Sequence, residues 1–376
     1  MKITDYEIFP IGMPYAEPYV QATGITKMAR RVVLKLHTDE GIIGLGDAST
    51  LLPNRTGETA EVIAVVLKNH LCPLLIGEDP LQIQNIDAKL RTASMEKYNT
   101  FLYSKAAIDI ALHDIQGKAY NVPVAYLLGG IARTSFGVSR SVPMVAPEVI
   151  GDIAKRIVDD GYKLITIKTG IEPDLDLARV KAVRKAVGDE FPLEVDCNMG
   201  YLPDVAIQYL SQMEDYGVIA VEQPGPWWDL DGMAEVTRAL KMSVMADESV
   251  LSEVEAMNAI RRKACNTVCI KVAKNGGLAP AKRIANLCGA AAMAVNMGSE
   301  HPAGIGTAAM AHFWASTPQL IDSVGYGSPL ERFTDDIVKE PIKFKDGVVH
   351  LPEGPGLGVE LDEDKLDKWR IQIDLP

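Results

Sequence analysis

A chain of 376 residues, 47% hydrophobic and 23% charged, has the make-up of an ordinary soluble globular protein with room for roughly two domains, or one barrel with additions. Its net charge of −12 excludes nucleic acid and an anionic membrane surface as main partners, because both would repel it. No apolar run approaches the roughly 18 residues of a membrane span, and five cysteines (Cys72, Cys197, Cys265, Cys269, Cys288) without a CxxC pair predict reduced thiols in a cytoplasmic protein.

The chain starts with an alternating, charged stretch, Met1 to Glu7, which reads as a strand and not as a secretion signal. The alternation continues from Ile3 to Ile11. Arg31 to His37 then turns at Asp39-Glu40-Gly41 into Ile42 to Gly46, a hairpin signature. Helices are expected at about 58–70 and 80–93, and near 102–119, where Ala107, Ile108, Ala111, Leu112 and Ile115 share one face. Residues 1–130 therefore predict an α+β domain, closed off at Leu128-Gly129-Gly130.

From about residue 136 a different rhythm begins. Five short apolar runs end in an ionisable residue: Lys168, Asp196, Glu222, Asp247 and Lys271, at intervals of 28, 26, 25 and 24 residues. Each interval fits one buried strand, one amphipathic helix and two short loops. A first strand ends near Pro143, a seventh is expected at Ala291 to Asn296, and an eighth at about Gln319 to Val324. Helices such as Asp176 to Val187 and Ser252 to Lys263 fall between them. Eight strands with seven long helices predict an α/β fold, a (β/α)7β TIM-like barrel over residues 131–333 with the α+β domain as a cap. Residues 334–376 return to hairpin-like sequence around Lys345-Asp346-Gly347 and are expected to pack back on the N-terminal domain.

In such a barrel the five residues meet at one rim, where barrel enzymes carry their chemistry. Three carboxylates on adjacent strand ends repel one another unless a cation sits among them. Their all-oxygen donor set suits a hard ion, Mg²⁺ with Mn²⁺ as the alternative. Any one acid alone reads as readily as a helix cap. Lys168 and Lys271 flank the trio; a strand-end lysine is costly to bury unless it is paired or functional, and a neutral amine there can take a proton from carbon. Structural salt bridges to the neighbouring acids are the alternative, but they leave unexplained why both lysines point to the same mouth. Asn198 and Tyr201 are read equally as substrate contacts or loop hydrogen bonds, and Trp227 and Trp228 as a cover for the mouth or as packing under the cap. His301 is expected to be an exposed loop residue.

The motifs are specific in combination. Thr166-Ile167-Lys168 stands at a KxK position, Asp196-Cys197-Asn198 at DxN, Glu222-Gln223-Pro224 at EQP, and Ala246-Asp247-Glu248-Ser249 at ADES. Lys271 to Gly277 stands at KxxKxGG, and Gly304-Ile305-Gly306-Thr307, Pro355 to Gly358 and the helix from Lys105 to Lys118 also match. On these grounds the chain resembles the mandelate racemase/muconate lactonizing enzyme family of the enolase superfamily, in the muconate cycloisomerase subgroup. The resemblance implies a capping domain over the barrel, a homo-oligomer, and Mg²⁺ held by Asp196, Glu222 and Asp247. It implies Lys168 and Lys271 facing opposite sides of an enolate made from a small carboxylate substrate. The reaction would be an isomerisation, either racemase/epimerase or cycloisomerase chemistry. A syn-dehydratase on the same scaffold, a non-catalytic metal- or ligand-binding barrel and a Schiff-base aldolase are the alternatives. Thr166, Asn198, Ser299, Glu300 and Ser323 are the expected substrate contacts.

The chain departs from the pattern twice. Thr166 stands where the family usually has a lysine, so a positive neighbour that would depress the Lys168 pKa is missing. Ser323-Val324-Gly325 lacks the DxD with which dipeptide epimerases bind the amino end of their substrate, which argues against dipeptides.

Overall fold

The computed structural model describes residues 1–21, 24–50, 57–94, 99–321, 323–324 and 329–373. The chain opens with an antiparallel sheet, β1 (Ile3–Gln21), β2 (Gly24–Thr38) and β3 (Ile43–Ser49), in that spatial order. The expected hairpin is there, with His37 opposite Ile43. Strand β1 runs well past Ile11 because it pairs with the whole of β2, through an irregularity between Pro14 and Tyr19. Alternation splits the sheet between two cores. Phe9, Ile11 and Met13 of β1 join the core that fills the barrel, whereas Val32, Leu34 and Leu36 of β2 join a second core beneath the helices.

Those helices are α1 (Ala60–Val66), α2 (Ile83–Ala93) and α3 (Leu102–Ala119). The one expected to run to about residue 70 changes winding at Leu67, passing through a π turn and then a 3-10 turn over Cys72–Leu75. Pro73 lies in that 3-10 turn and has no N–H with which to continue an α-helical ladder. Helix α3 is buried along almost its whole length, between sheet and barrel. It lies so close to β3 that a Cβ on Gly46 would stand 2.0 Å from the Ala107 carbonyl oxygen. A one-turn helix, α4 (Val124–Leu127), leads into the barrel.

The barrel strands are β4 (Ser135–Val142), β5 (Leu164–Lys168), β6 (Leu193–Asp196), β7 (Val218–Glu222), β8 (Ser243–Ala246), β9 (Thr267–Ile270), β10 (Ala294–Met297) and β11 (Ser323–Val324). From β4 to β10 each pairs in parallel with the next. The ring closes where β11 pairs in parallel with β4 and Leu320 bridges Val295. Among the described residues seven helices link the eight strands: α5 (Pro147–Asp159), α6 (Pro173–Val187), α7 (Pro203–Glu214), α8 (Leu230–Ala239), α9 (Glu253–Arg262), α10 (Leu278–Ala290) and α11 (Gly304–Ala315). The seventh strand starts later than expected because alanine-rich sequence extends α10 to Ala290, and the turn at Ala292 (φ 55°) follows. Among the described residues the eighth strand covers Ser323 and Val324.

A short helix, α12 (Pro329–Arg332), precedes the tail. The tail divides its contacts. Its hairpin, β12 (Phe344–Lys345) and β13 (Val348–His350), turns at Asp346-Gly347 as expected, yet β13 pairs with β4 and so extends the barrel wall. Beyond it the chain does return to the cap. The Leu357 amide donates to Asp114 of α3, Lys35 pairs with Glu363 of α13 (Glu363–Lys368), and the Ile371 amide donates to the Pro10 carbonyl. No described helix is long and apolar enough to cross a membrane.

Candidate active site

Strand register assembles the rim. Lys168 is opposite Asp196, and Asp196 is opposite Glu222, at the last positions of β5, β6 and β7. Asp247 and Lys271 come one residue after β8 and β9 end. All five line or border one small cavity at the mouth, together with Thr166, Glu194 and His301.

The two lysines divide the acids between them. The Lys168 ammonium is ion-paired with Asp196 and lies 3.3 Å from Asn198 Oδ1. Lys271 Nζ lies 2.6 Å from Asp247 Oδ2, 3.6 Å from Glu300 Oε1 and 4.0 Å from Glu222 Oε1. A third lysine, Lys274, reaches Asp247 Oδ1 at 2.8 Å and the Asp247 and Cys269 carbonyl oxygens at 2.7 and 3.0 Å. Burial pushes the Asp247 carboxyl upward, but Lys271 and Lys274 overcome this and hold it far below the carboxylate range. Burial also opposes charge on Lys271, yet Asp247 and Glu300 raise its pKa well above that of a free lysine.

Glu222 has the opposite fate. Burial first, then the charges of Asp196 and Asp247, raise its carboxyl well above the usual range. Three carboxylates so placed cannot all ionise without added positive charge, and carboxylate oxygens are the donors that a hard divalent ion takes. The donor set therefore fits Mg²⁺. Ligand atoms of Glu222, Asp247 and Cys269 lie within 4.8 Å of one another, and Asp196 is not part of that group. Its Oδ2 is turned to Lys168 and its Oδ1 accepts from the Asn198 amide.

The expected substrate contacts fare differently. Thr166 is buried and donates to Glu194 Oε1 at 2.7 Å. Asn198 spans the rim, its amide nitrogen 3.3 Å from Glu248 Oε1. Ser299 borders the cavity and accepts the His301 amide at 3.0 Å, and Glu300 is buried beside Lys271. Ser323 lies in β11, but its side chain is outside the described residues.

Other expectations need correcting. His301 is not exposed. It is 4% accessible, because β1 and β2 of the cap cover its loop, and its Nδ1 lies 2.9 Å from the Tyr15 hydroxyl. Tyr201 is a loop fastener, donating to Asp176 Oδ2 at 2.7 Å. Trp227 and Trp228 are not packed under the cap; they stand 55% and 68% exposed. Glu194, absent from the expected set, is held in the barrel interior with its carboxyl pushed up to about 7, by burial first and then by Asp196. Its position two residues before Asp196, hence on the same strand face, was the available signal.

Comparison with known proteins agrees with this architecture. Residues 3–129 match the family described as mandelate racemase / muconate lactonizing enzyme, N-terminal domain, and residues 149–365 match the enolase C-terminal domain-like family. The chain is 32% identical over 380 residues to the N-succinyl-L-Arg/Lys racemase of Bacillus cereus, covering 100% of both chains. The crystal structure of N-succinyl Arg/Lys racemase from Bacillus cereus superposes with a TM-score of 0.93 at 31% identity, over 99% of each chain. Muconate cycloisomerase 1 of Rhodococcus opacus is 30% identical over 98% of both chains. A dipeptide epimerase from Enterococcus faecalis, solved with Mg and the dipeptide L-Leu-L-Tyr, has a TM-score of 0.89 at 28% identity, over 96% of this chain and 99% of its own. Two domain matches that together span most of the sequence, a full-length fold match and isomerases as relatives lead to one conclusion: the chain is an enzyme of the mandelate racemase/muconate lactonizing enzyme family of the enolase superfamily.

Proposed function

We propose that this enzyme removes the α-proton of a small carboxylate substrate and returns a proton to the resulting enolate, an isomerisation of the racemase/epimerase or cycloisomerase type. The observation that carries the reading is the pair of lysines at either end of a carboxylate arc. Lys168 comes from β5 and Lys271 from just past β9, with Asp196, Glu222 and Asp247 on the strands between. An amine on each side of the substrate allows a proton to leave from one face and arrive on the other. Asp196, Glu222 and Asp247 would hold Mg²⁺, which when bound supplies positive charge to stabilise the developing enolate. Asn198 and Glu300, each within reach of a lysine, would orient the two ammonium groups. A relative that racemises N-succinylated Arg and Lys makes N-acylated amino acids the first substrates to try.

Deuterium wash-in from D₂O, followed by mass spectrometry over a library of α-substituted carboxylates, tests this. Exchange with inversion identifies a racemase, exchange with ring closure a cycloisomerase, and loss of mass a lyase. In a racemase, Lys168→Ala abolishes exchange from one enantiomer and Lys271→Ala from the other. Loss of both exchanges in one variant and of neither in the other means a single base. Asp196→Asn, Glu222→Gln and Asp247→Asn are each expected to remove Mg²⁺ binding measured by calorimetry, with circular dichroism unchanged. Unaltered affinity in all three ends the metal assignment.

A further inference from the structure

The loop between β7 and α8 carries two consecutive tryptophans into solvent. Trp227 and Trp228 together expose roughly 300 Å² of indole surface, a size at which apolar patches often serve recognition. The exposure is not slack in the chain. Gln223 at the foot of the loop donates to the Gly225 carbonyl at 2.9 Å and to Ser249 Oγ at 2.8 Å, and accepts the Asp247 amide at 2.9 Å. The Pro224 carbonyl accepts the Tyr201 amide at 3.0 Å, and the Pro226 carbonyl accepts the Asp229 amide at 3.1 Å. Asp229 then caps α8 through the Gly232 amide at 2.9 Å. A fixed loop thus presents the indoles, which lowers the ordering cost of binding them.

The two preceding loops continue the patch. The bond from Tyr201 to Pro224 joins the loop after β6 to that of the tryptophans. Gly200 in turn lies so close to Gly170, after β5, that a Cβ on it would stand 2.0 Å from the Gly170 carbonyl oxygen. Each of these loops exposes an aliphatic side chain, Ile171 and Leu202. Leu202 occupies the N-cap of α7 without a capping bond, where serine or aspartate would stabilise the helix. Helix stability therefore does not explain it. None of the four borders the rim cavity.

The charge around the patch has one sign. Glu172, Asp174, Asp204 and Asp231 are exposed, and segments 169–178, 199–208 and 225–237 contain no lysine or arginine. Arg262 of α9 pairs with Asp231. If each of the three helix N-termini counts as roughly half a positive charge, four carboxylates against these and Arg262 leave about −1.5. A second copy docked about a two-fold axis would bring this charge against itself. A cationic partner is favoured twice, because Lys and especially Arg stack on indole faces and also pair with carboxylates.

We propose that Trp227, Trp228, Leu202 and Ile171 form a docking surface for a basic amphipathic segment of another protein, its apolar side chains on the indoles and its Lys or Arg side chains on the flanking acids. The surface is independent of the reaction at the rim.

Titration of the full chain with synthetic peptides, followed by calorimetry and tryptophan fluorescence, tests this. The probes are a helical Leu/Arg peptide, its Leu/Glu counterpart, and a Ser/Arg peptide of the same length and charge. The Leu/Arg peptide is expected to bind saturably, about tenfold or more tightly than either of the others, and to weaken as salt rises. Trp227→Ser with Trp228→Ser is expected to reduce that affinity about tenfold or more, and Asp174→Asn with Asp204→Asn about threefold. Leu202→Ser supplies a better N-cap, so an expected loss of about threefold in that variant is not a loss of folding. Unchanged affinity in the double tryptophan variant would assign binding to the overall charge of −12 and overturns the proposal. Equal binding of the Leu/Arg and Ser/Arg peptides overturns it as well. So does an oligomer, seen by light scattering, that tightens with salt and dissociates in the double tryptophan variant, since a second copy would then occupy the patch.

Discussion

Thr166 occupies the position where a lysine would place a second ammonium two residues from Lys168, on the same face of β5. From sequence alone, Thr166→Lys should make Lys168 easier to deprotonate and move the limb of the pH–rate profile that reports it to lower pH. The structure changes the expected outcome. The Thr166 hydroxyl lies 2.7 Å from Glu194 Oε1, so an ammonium introduced there meets a carboxylate first. The new charge is then neutralised in place. Thr166→Lys alone is expected to leave that limb where it was, and Thr166→Lys with Glu194→Gln to move it to lower pH. A shift in the single variant equal to that in the double would show that Glu194 does not screen the site. Steady-state profiles of the Mg²⁺-loaded enzyme decide between these. Glu194 was legible only in principle. It sits in a run, Pro192 to Asp196, whose last residue drew the attention, and nothing in the run shows that its companion across the sheet is Thr166.

At the scale of elements, the recurring interval of about 25 residues was enough to find six of the eight barrel strands and the rim residues at their ends. Buried parallel strands are short and apolar, and the helices between them are long and amphipathic, so the two kinds of segment are hard to confuse. What the pattern could not show was anything decided by distant partners. The length of β1 depends on β2, and the burial of His301 on strands almost 300 residues away in sequence. The contact between α3 and α10 belongs to this class. Asp109 of α3 accepts hydrogen bonds from the Leu278 and Ala279 amides at the start of α10. Gly277 permits the approach, with φ 121° and space in which a Cβ would lie 2.4 Å from Asp109 Cβ. The last glycine of KxxKxGG thus serves a junction between domains. Asp109→Ala is expected to cost about 2 kcal/mol, as loss of a cap that leaves buried amides unpaired does, with Asp109→Asn in between. Urea unfolding monitored by circular dichroism measures it; a change below a few tenths of a kcal/mol would mean water replaces the carboxylate.

For the whole molecule, the tail binds barrel and cap into one unit. His312 of α11 sits at the meeting point: its Nδ1 faces the Ala125 amide at 3.3 Å, and its Nε2 faces the Leu357 carbonyl at 3.0 Å. An amide can only donate and a carbonyl only accept, so the ring is neutral with its proton on Nε2. Burial lowers its pKa from 6.5 to about 4. The unfolded chain then binds the proton that the folded one refuses. Stability is fully present above pH 6.5 and is lost as pH falls toward 4, by about 3 kcal/mol in all. Gln at this position can offer the same donor and acceptor without titrating. Denaturant midpoints at pH 7.5 and 4.5 should therefore separate strongly in the parent enzyme and less in His312→Gln. Equal separation in both would assign the acid sensitivity to other groups. The unfolding itself should be a single calorimetric transition, since residues of cap, barrel and tail share one core.

Tyr15 and Arg31 hold the His301 loop from two strands that belong to the capping sheet. Two stretches far apart in sequence thus meet at one place: the rim residues come from strands between residues 168 and 271, and the two side chains that fasten the loop above them lie within the first 31. A substitution in that one hairpin would reach the rim with no change in the sequence of the barrel, and a barrel grafted without it would leave the His301 loop without two of its anchors.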